Sequence, residues 1–497
     1  MSESKREAHG IGINLLTLLA QAALPAFHVQ LARFLHDSGY GVYTWSNTFV
    51  DMFSLLTLFG MDQAVARHVA LAYAEKDDRG AVVATGTALR VVLLSGLLIS
   101  GALFFAAPFV AARQGKPELI TPLRLLAVTP IFYHATTIFL VATQARGVMT
   151  YNFWVRGLVQ PLGLLALTSL ALRRSPTVAA ACLAVGAGMA LTTVAAAYFY
   201  SRQLSLADTL RAAARGPVDR ALLHLAVPLV AVNLIWSLQG RIDALLLGHY
   251  RSTAEMGAYA ACVLYVTSIS QLRGAFDPVV CAAIPAALQK GDIAGLTATI
   301  QRQTRWVALG AVPLAVLFGG FGGGLLSVFG HGFERGAYAM MALSLGHLVN
   351  ALSLAAYVIP MSGNPRFGAI AAGLSVGLQA VLLPLLLPRL GLTGAAISGA
   401  AGLVTAQTFQ MVFAYRLTRV HGMSVGLARI GLCGVGALAV GRQVYGMVPG
   451  PLAARFFGGV GVAGVVYLAL IVAFGLEPAE RERLLQLALR LVRRRPR

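Results

Sequence analysis

The sequence predicts an all-α polytopic membrane protein of about 14 transmembrane helices, and three observations support this class. Apolar residues make up 57% of the 497 positions, and a further 53 are glycine. Charged residues make up only 12%, against roughly a quarter in soluble proteins. The apolar residues also fall in windows of about 20 residues or more, the length that crosses a bilayer as an α-helix. A soluble globular enzyme is therefore excluded.

The apolar windows are separated by short charged or Gly/Pro-containing loops, which place the helices in order along the chain. The predicted helices cover residues 11–35, 42–66, 81–110, 120–144, 151–172, 176–200, 219–249, 256–286, 300–328, 336–361, 366–388, 392–418, 425–447 and 454–475. Twelve spans is the alternative count. No loop between the windows is long enough to fold as a catalytic domain. We therefore expect a protein that is not an enzyme and that holds no cofactor and no metal.

Helix breaks are predicted at four places within these windows. Pro25, Pro228 and Pro313 should kink their helices, because proline removes a backbone hydrogen bond and clashes with the preceding turn. The glycine-rich run at residues 319–324 predicts a break in a helix rather than a phosphate-binding loop.

The charge distribution predicts the orientation of the chain. Basic residues outnumber acidic ones by 39 to 19, and only four of the 39 are lysine. An even number of spans puts both termini on one side, whose loops and tail carry 25 basic residues against 11 on the other side. The positive-inside rule then predicts that both termini are cytoplasmic. We expect the basic residues to interact with membrane lipids and not with nucleic acid.

An internal repeat is visible in two pairs of segments. Gly41-Val42-Tyr43 matches Gly257-Ala258-Tyr259 at an offset of 216, and Asn152 matches Asn364 at an offset of 212. Similar offsets predict two six-helix lobes in the same orientation, followed by two extra helices. The predicted domains are a first lobe at 1–215, a second lobe at 216–420, two further spans at 421–476 and a tail at 477–497. The tail reads as a basic amphipathic helix on the inner leaflet, or as a solvated end.

Ionisable residues inside the predicted spans are the candidate functional residues, because each costs several kcal/mol if it faces lipid. The candidates for binding an anion are Arg33, Arg90, Arg241 and Arg273, and the acids are Asp51, Asp62, Asp243 and Asp277. No acid lies within four residues of Arg90, which makes it the best single candidate. Arg273 and Asp277 are four residues apart, so they form either part of a site or a structural salt bridge. His134, His224 and His347 are interpreted as hydrogen-bonded core residues.

These residues indicate a two-lobed membrane transporter that does not use ATP. Guanidinium groups bind phosphate through paired hydrogen bonds, so an excess of arginine in a cavity favours an anionic substrate. A cation exporter would instead present unpaired acids.

Several motifs, in this order, resemble those of a known family. An apolar helix ending at Arg33 precedes the hairpin at Gly41 to Tyr43 and the Gly-hydrophobe-Asp motif at Gly60 to Asp62. The later segments GRIDALLLGHYRSTAEMGAY, AIPAALQKGD and PRLGLTGAAISGA continue the likeness. Over residues 10–420 the chain resembles the Wzx-like O-antigen and polysaccharide flippases of the multidrug/oligosaccharidyl-lipid/polysaccharide exporter superfamily.

The resemblance implies a flippase that moves an undecaprenyl-diphosphate-linked oligosaccharide across the bacterial inner membrane by alternating access. The cavity arginines would hold the diphosphate and the sugar. A polysaccharide polymerase and glycosyltransferases of the same pathway are the implied protein partners. The alternative is a cation-coupled multidrug antiporter of the same superfamily, in which Asp51, Asp62 or Asp243 would serve as the coupling acid. A membrane-embedded glycosyltransferase or ligase would need a large extramembrane loop.

Overall fold

The computed structural model describes residues 23–216, 241–363 and 366–476, and it contains no β-strand in these ranges. Its principal α-helices are α1 (Ala23–Leu58), α2 (Met61–Ala74), α3 (Asp78–Gln114), α4 (Ile120–Leu126), α5 (Thr129–Ala145), α6 (Gln160–Arg174), α7 (Val178–Ser201), α8 (Leu206–Arg215), α9 (Ile242–Tyr250), α10 (Thr253–Gln271), α11 (Asp277–Lys290), α12 (Ile293–Leu326), α13 (Ala337–Ala351), α14 (Arg366–Leu390), α15 (Leu392–Thr418), α16 (Val425–Met447) and α17 (Leu452–Leu470).

The all-α membrane class is confirmed. In the described ranges, nine helical stretches are long and apolar enough to cross a membrane, or ten when one bent pair is counted as a single span. The count of 14 stays a prediction. Four of the predicted features lie outside the described residues: the tail at 477–497, Asn364 of the proposed repeat, the kink at Pro228 and the core residue His224.

Helices α1 and α2 form a bent stretch rather than a straight rod. They cover 51 residues from Leu24 to Ala74, which would extend over about 75 Å if straight, far more than the roughly 30 Å of a bilayer core. The backbone leaves helical geometry at His36, with φ 56° and ψ −177°, and again at Gly60, with φ 70°. The second predicted window, 42–66, is therefore divided at Gly60, and Asp62 lies in the first turn of α2.

The break in α12 lies at glycine rather than at proline. The described part of α1 begins only two residues before Pro25, so the kink at Pro25 stays a prediction. Pro313 lies inside α12, but the residue that leaves helical geometry in that helix is Phe321, with φ −126° and ψ 19°. Phe321 belongs to the glycine-rich run at 319–324, so the break predicted there is confirmed.

The chain divides into two compact units. The first unit contains Met1–Ala261, Phe329–Phe333 and Val376–Ser398, and the second contains the remaining residues. The core of the first unit is built by buried apolar residues of α2, α3, α5 and α7, including Val65, Val92 and Ile138. The amphipathic helix α8 joins this core through Tyr200, whose hydroxyl lies 2.8 Å from Oγ1 of Thr209.

The second unit has a core cluster on α12, α16 and α17, to which Ala308, Ile430 and Tyr467 contribute. Small residues allow these helices to pack closely. A Cβ atom on Gly434, for example, would overlap the side chain of Val312.

Two helix starts have the same cap, which supports the proposed internal repeat. The backbone N–H of Gly80 donates to the Asp77 carboxylate over 2.8 Å, and the N–H of Gly295 donates to the Asp292 carboxylate over 2.8 Å. Both acids precede helices of more than 30 residues, α3 and α12. Their offset of 215 lies within the 212–216 range of the sequence matches.

The two Gly-x-Tyr segments meet inside the first unit. A Cβ atom on Gly41 would overlap the carbonyl oxygen of Thr253, and a Cβ atom on Gly257 would overlap the carbonyl oxygen of Asp37. Glycine is therefore needed at both positions, because the two backbones come closer than any side chain allows.

We expect Gly41→Ala to destabilise the protein by about 1–3 kcal/mol, since the added methyl group must displace backbone. The measurement is thermal unfolding of the purified protein in detergent. Gly101→Ala on α3 is the matched control, because a Cβ atom there meets nothing within 4 Å. Equal unfolding temperatures for the two variants would contradict the close approach at Gly41.

Candidate functional site

A cavity of about 240 Å³ lies within the first unit. At about 30 Å³ per water molecule it can hold roughly eight of them. It is lined by side chains from α1, α5 and α7 and by the residue that precedes α9, namely Asn47, Asp51, Ser54, Leu55, Thr129, Pro130, Tyr133, His134, Val185, Met189 and Arg241. The sequence analysis singled out Asp51 and Arg241 separately, and the structure brings them together here.

Asp51 and Arg241 give the cavity a charged side. Asn47 lies one turn before Asp51 on α1, and its amide Nδ2 donates to Oδ2 of Asp51 over 3.0 Å. Arg241 is half-buried at the start of α9, close enough for its charge to act on the Asp51 carboxylate. A guanidinium has five N–H donors, so a phosphate entering the cavity can share Arg241 with Asp51.

His134 was expected to be a hydrogen-bonded core residue, and the structure buries it, at 2% exposure, beside the backbone of Ser54. Within the described residues, neither ring nitrogen makes a hydrogen bond of regular geometry. Buried polar groups are almost always paired in proteins. Because His134 also lines the cavity, a bound ligand with donors and acceptors can complete its hydrogen bonding. His347 does have a partner, since its Nδ1 lies 2.8 Å from the hydroxyl of Ser270.

Arg156, next to the cavity, is a residue that the sequence analysis did not single out. It lies in a π-helical segment, Phe153–Val159, just before α6. Its guanidinium stacks on Tyr133, with Cζ 5.0 Å from the ring centroid, and its Nη2 donates to Oγ1 of Thr137 over 2.6 Å. Its Nε is buried without a hydrogen-bond partner in the described part of the chain. Tyr133 and His134 thus connect Arg156 to the cavity.

The sequence did contain a signal for this segment. Pro161 has no N–H, and its ring clashes with the carbonyl four residues earlier in a regular α-helix, here that of Gly157. A π-helical turn relieves such a conflict, and turns of this kind occur often at functional sites. Pro161 within the predicted window 151–172 is therefore a signal for an irregular turn, and the π-helical turn that precedes it contains Arg156.

Arg90 does not lie at the cavity. Its Nε donates to the carbonyl of Ala213 over 2.5 Å, and its Nη2 donates to those of Ala212 and Gly216 over 2.6 and 2.9 Å. These carbonyls end α8, where the helix dipole favours a positive charge. In this structure Arg90 is a cap for α8 and not an anion-binding residue at the cavity.

Arg273 and Asp277 belong to a polar network in the second unit. The predicted helix 256–286 is interrupted by a 3₁₀ turn, Leu272–Ala275, which contains Arg273. Nε of Arg273 nevertheless lies 3.5 Å from Oδ1 of Asp277. Nη1 of Arg273 also donates to Asn350 and to the hydroxyl of Ser353, at 3.0 to 3.2 Å. The Tyr357 hydroxyl donates to Asp277 over 2.6 Å. Of the two alternatives given for this pair, the structural salt bridge fits these contacts.

The remaining candidates are dispersed. Asp243 is buried, and its carboxylate accepts hydrogen bonds from the Tyr259 hydroxyl over 2.5 Å and from the backbone of Ala244 over 2.7 Å. Asp62 lies at the start of α2, where an acid is favoured by the helix dipole. Arg33 is exposed on α1. Among the described residues, no three His, Cys, Asp or Glu side chains form a group that could hold a metal ion.

We expect Arg90→Met to loosen α8, because three carbonyls at the end of this helix lose their donor. The measurement is tryptic cleavage of the native protein after Arg211 and Arg215, which should become several-fold faster. Arg79→Met is the control, since Arg79 is exposed on the first turn of the same helix, α3. Unchanged cleavage in Arg90→Met would contradict the capping role.

Comparison with known proteins gives the family and the fold. A family model described as a polysaccharide biosynthesis protein matches residues 9–287, which is more than half of the chain. No curated protein matches the chain in sequence.

Three solved structures are similar in fold. The inward-facing form of a multidrug resistance MATE family transporter of the MOP superfamily is 14% identical, covering 81% of this chain and 98% of its own, with a TM-score of 0.67. The lipid II flippase MurJ in an inward closed conformation is 12% identical, covering 93% and 98%, with a TM-score of 0.66. A MOP superfamily transporter from Pyrococcus furiosus is 13% identical, covering 82% and 95%, with a TM-score of 0.61.

At these identities the likeness shows the fold alone, and that fold is the one of membrane transporters rather than enzymes. The family match covers the lining of the first unit's cavity, including Asp51, His134 and Arg241, and the neighbouring Arg156. The chain belongs to the polysaccharide biosynthesis protein family, in agreement with its Wzx-like resemblance, and has the fold of the MOP superfamily transporters.

Proposed function

We propose that this protein is a flippase that moves an undecaprenyl-diphosphate-linked oligosaccharide across the bacterial inner membrane by alternating access. Its termini would be cytoplasmic, and a polymerase and glycosyltransferases of the same pathway would work beside it. The observation that carries the proposal is the cavity of the first unit, which Arg241 and the buried His134 line and whose lining residue Tyr133 stacks with Arg156.

The charges at the cavity favour an anion. Arg241 and Arg156 contribute two positive charges and Asp51 contributes one negative charge, so the site retains a positive excess. A diphosphate offers several acceptor oxygens, and guanidinium groups bind such oxygens through paired hydrogen bonds. Arg241 would contact the headgroup on the Asp51 side of the cavity. Arg156 would contact it on the side of Tyr133.

His134 adds hydrogen-bonding capacity that suits a phosphate or sugar group. A neutral imidazole donates from one ring nitrogen and accepts at the other, and within the described residues neither nitrogen makes a hydrogen bond of regular geometry. A sugar hydroxyl supplies both an acceptor and a donor, so one such group can satisfy His134. The apolar carrier chain would remain in the lipid, since the cavity is too small to contain it.

The cation-coupled multidrug antiporter is the second candidate, and Asp51 is the observation that favours it. A carboxylate lining an intramembrane cavity is the type of residue that carries coupling ions. The MATE transporters named above share this fold, so the fold does not separate the two functions. The chemistry of the cavity does, because an antiporter for cationic drugs has no use for two arginines beside its acid.

We expect Arg241→Met and Arg156→Met each to weaken binding of farnesyl diphosphate by about ten-fold, equivalent to about 1.4 kcal/mol. The measurement is equilibrium binding of the radiolabelled lipid to purified protein in nanodiscs. Wild-type protein should prefer farnesyl diphosphate to farnesyl phosphate, because two arginines match two phosphates. Arg79→Met is the matched control and should bind as wild type does.

Two results would contradict this proposal. One is wild-type affinity in both arginine variants, which would remove the cavity from the binding site. The other is a null strain that keeps its surface polysaccharide but loses dye efflux, with Asp51→Asn giving the same loss of efflux. That second result would favour the antiporter. The flippase proposal instead expects lipid-linked repeat units to accumulate on the cytoplasmic leaflet of the null strain.

A further inference from the structure

We propose that Lys116 and Arg251 form a latch that holds the first unit closed at the end opposite to the chain termini. The carbonyl latch consists of these two side chains and the carbonyl oxygens of Gly248, Arg251, Leu387 and Pro388. The inference rests on the alternating access of the proposed function, in which this end of the molecule must open and close.

Lys116 makes the first half of the carbonyl latch. It lies between α3 and α4, and its Nζ donates to the carbonyl of Gly248 and, over 2.9 Å, to that of Arg251. Both carbonyls lie at the C-terminal end of α9, where the backbone oxygens lack partners within the helix and the dipole favours a cation. Partial burial lowers the pKa of the Lys116 ammonium, and the nearby Glu118 carboxylate opposes this shift.

Arg251 makes the second half. Its Nη2 donates to the carbonyls of Leu387 and Pro388, over 3.0 and 3.2 Å, at the C-terminal end of α14. Gly391 follows that helix with φ 56°, and a Cβ atom there would lie 3.2 Å from Nη2 of Arg251. Glycine at this position therefore both terminates the helix and leaves space for the guanidinium.

The carbonyl latch joins segments that are far apart in the sequence. Lys116 belongs to the first half of the chain, whereas Arg251 and the α14 carbonyls belong to the second half. Counting the spans places all three in loops on the side opposite to the termini, which agrees with their meeting at one end. The glycine contact between Gly41 and Gly257 is a second close approach of the same two halves within the first unit.

The chemistry of these contacts suits a reversible closure. Each acceptor is a carbonyl at the end of a helix, a group that water can satisfy once the cation leaves. Opening therefore leaves no buried charge without a partner, in contrast to the separation of a buried ion pair. In the closed state, the close backbone packing of Gly41 against Gly257 would leave little space between the two halves of the chain. The carbonyl latch would set how often this end opens.

We expect Lys116→Met to raise the rate at which a membrane-impermeant maleimide, added to spheroplasts, labels Leu55→Cys in the cavity. The four native cysteines are first replaced by alanine. The increase should be at least about five-fold, since a hydrogen bond from a charged group shifts an equilibrium by that order. Arg251→Met should have the same effect. Arg113→Met is the control, because Arg113 is exposed on the last turn of α3 and loses the same charge.

Labelling of Lys116→Met at the rate of Arg113→Met would overturn the carbonyl latch. A second measurement needs no variant. In the folded wild-type protein, acetic anhydride should modify Lys116 at least about ten-fold more slowly than the exposed Lys76 and Lys290. The two carbonyls and partial burial shield its amine, and this shielding must exceed the gain in free amine that its lowered pKa brings. Equal reactivity would also overturn the proposal. Neither measurement uses substrate, so a failure of diphosphate binding leaves these results interpretable.

Discussion

The structure depends on how each guanidinium among apolar helices obtains hydrogen-bond acceptors. A cation at membrane depth costs several kcal/mol if it faces lipid, so every buried arginine must be matched by a specific group. Arg90 is matched by the carbonyls that end α8, and Arg273 by Asn350, Ser353 and Asp277. Both are therefore held by contacts within the fold.

The cavity of the first unit differs because its polar groups are incompletely satisfied by the described residues. Nε of Arg156 and both ring nitrogens of His134 are buried without a hydrogen bond of regular geometry there. Keeping such groups unpaired is costly, and a transporter gains from it only if a ligand pairs them for part of the cycle. The fold is shared by drug exporters and a lipid flippase, so it is this chemistry that argues for an anionic lipid headgroup.

Helix ends have a second role in this molecule. Lys116, Arg251 and Arg90 all donate to carbonyls at the C-terminal ends of helices. Such carbonyls accept a cation readily and return to water at little cost. A transporter must break and remake contacts in each cycle. Contacts between a cation and these carbonyls suit that purpose, because a buried ion pair between side chains costs more to separate.

The sequence by itself determined the helical membrane class, the break at 319–324 and the proximity of Arg273 to Asp277. Each of these depends on residues near one another in the chain, through apolar windows, glycine content or a four-residue spacing. Only the tertiary structure decided that Arg90 caps α8, more than 120 residues later in the chain, and that Arg156 stacks on Tyr133. The physical reason is that a charged side chain takes whichever acceptor the packing of distant helices brings within reach, and local sequence does not encode that choice.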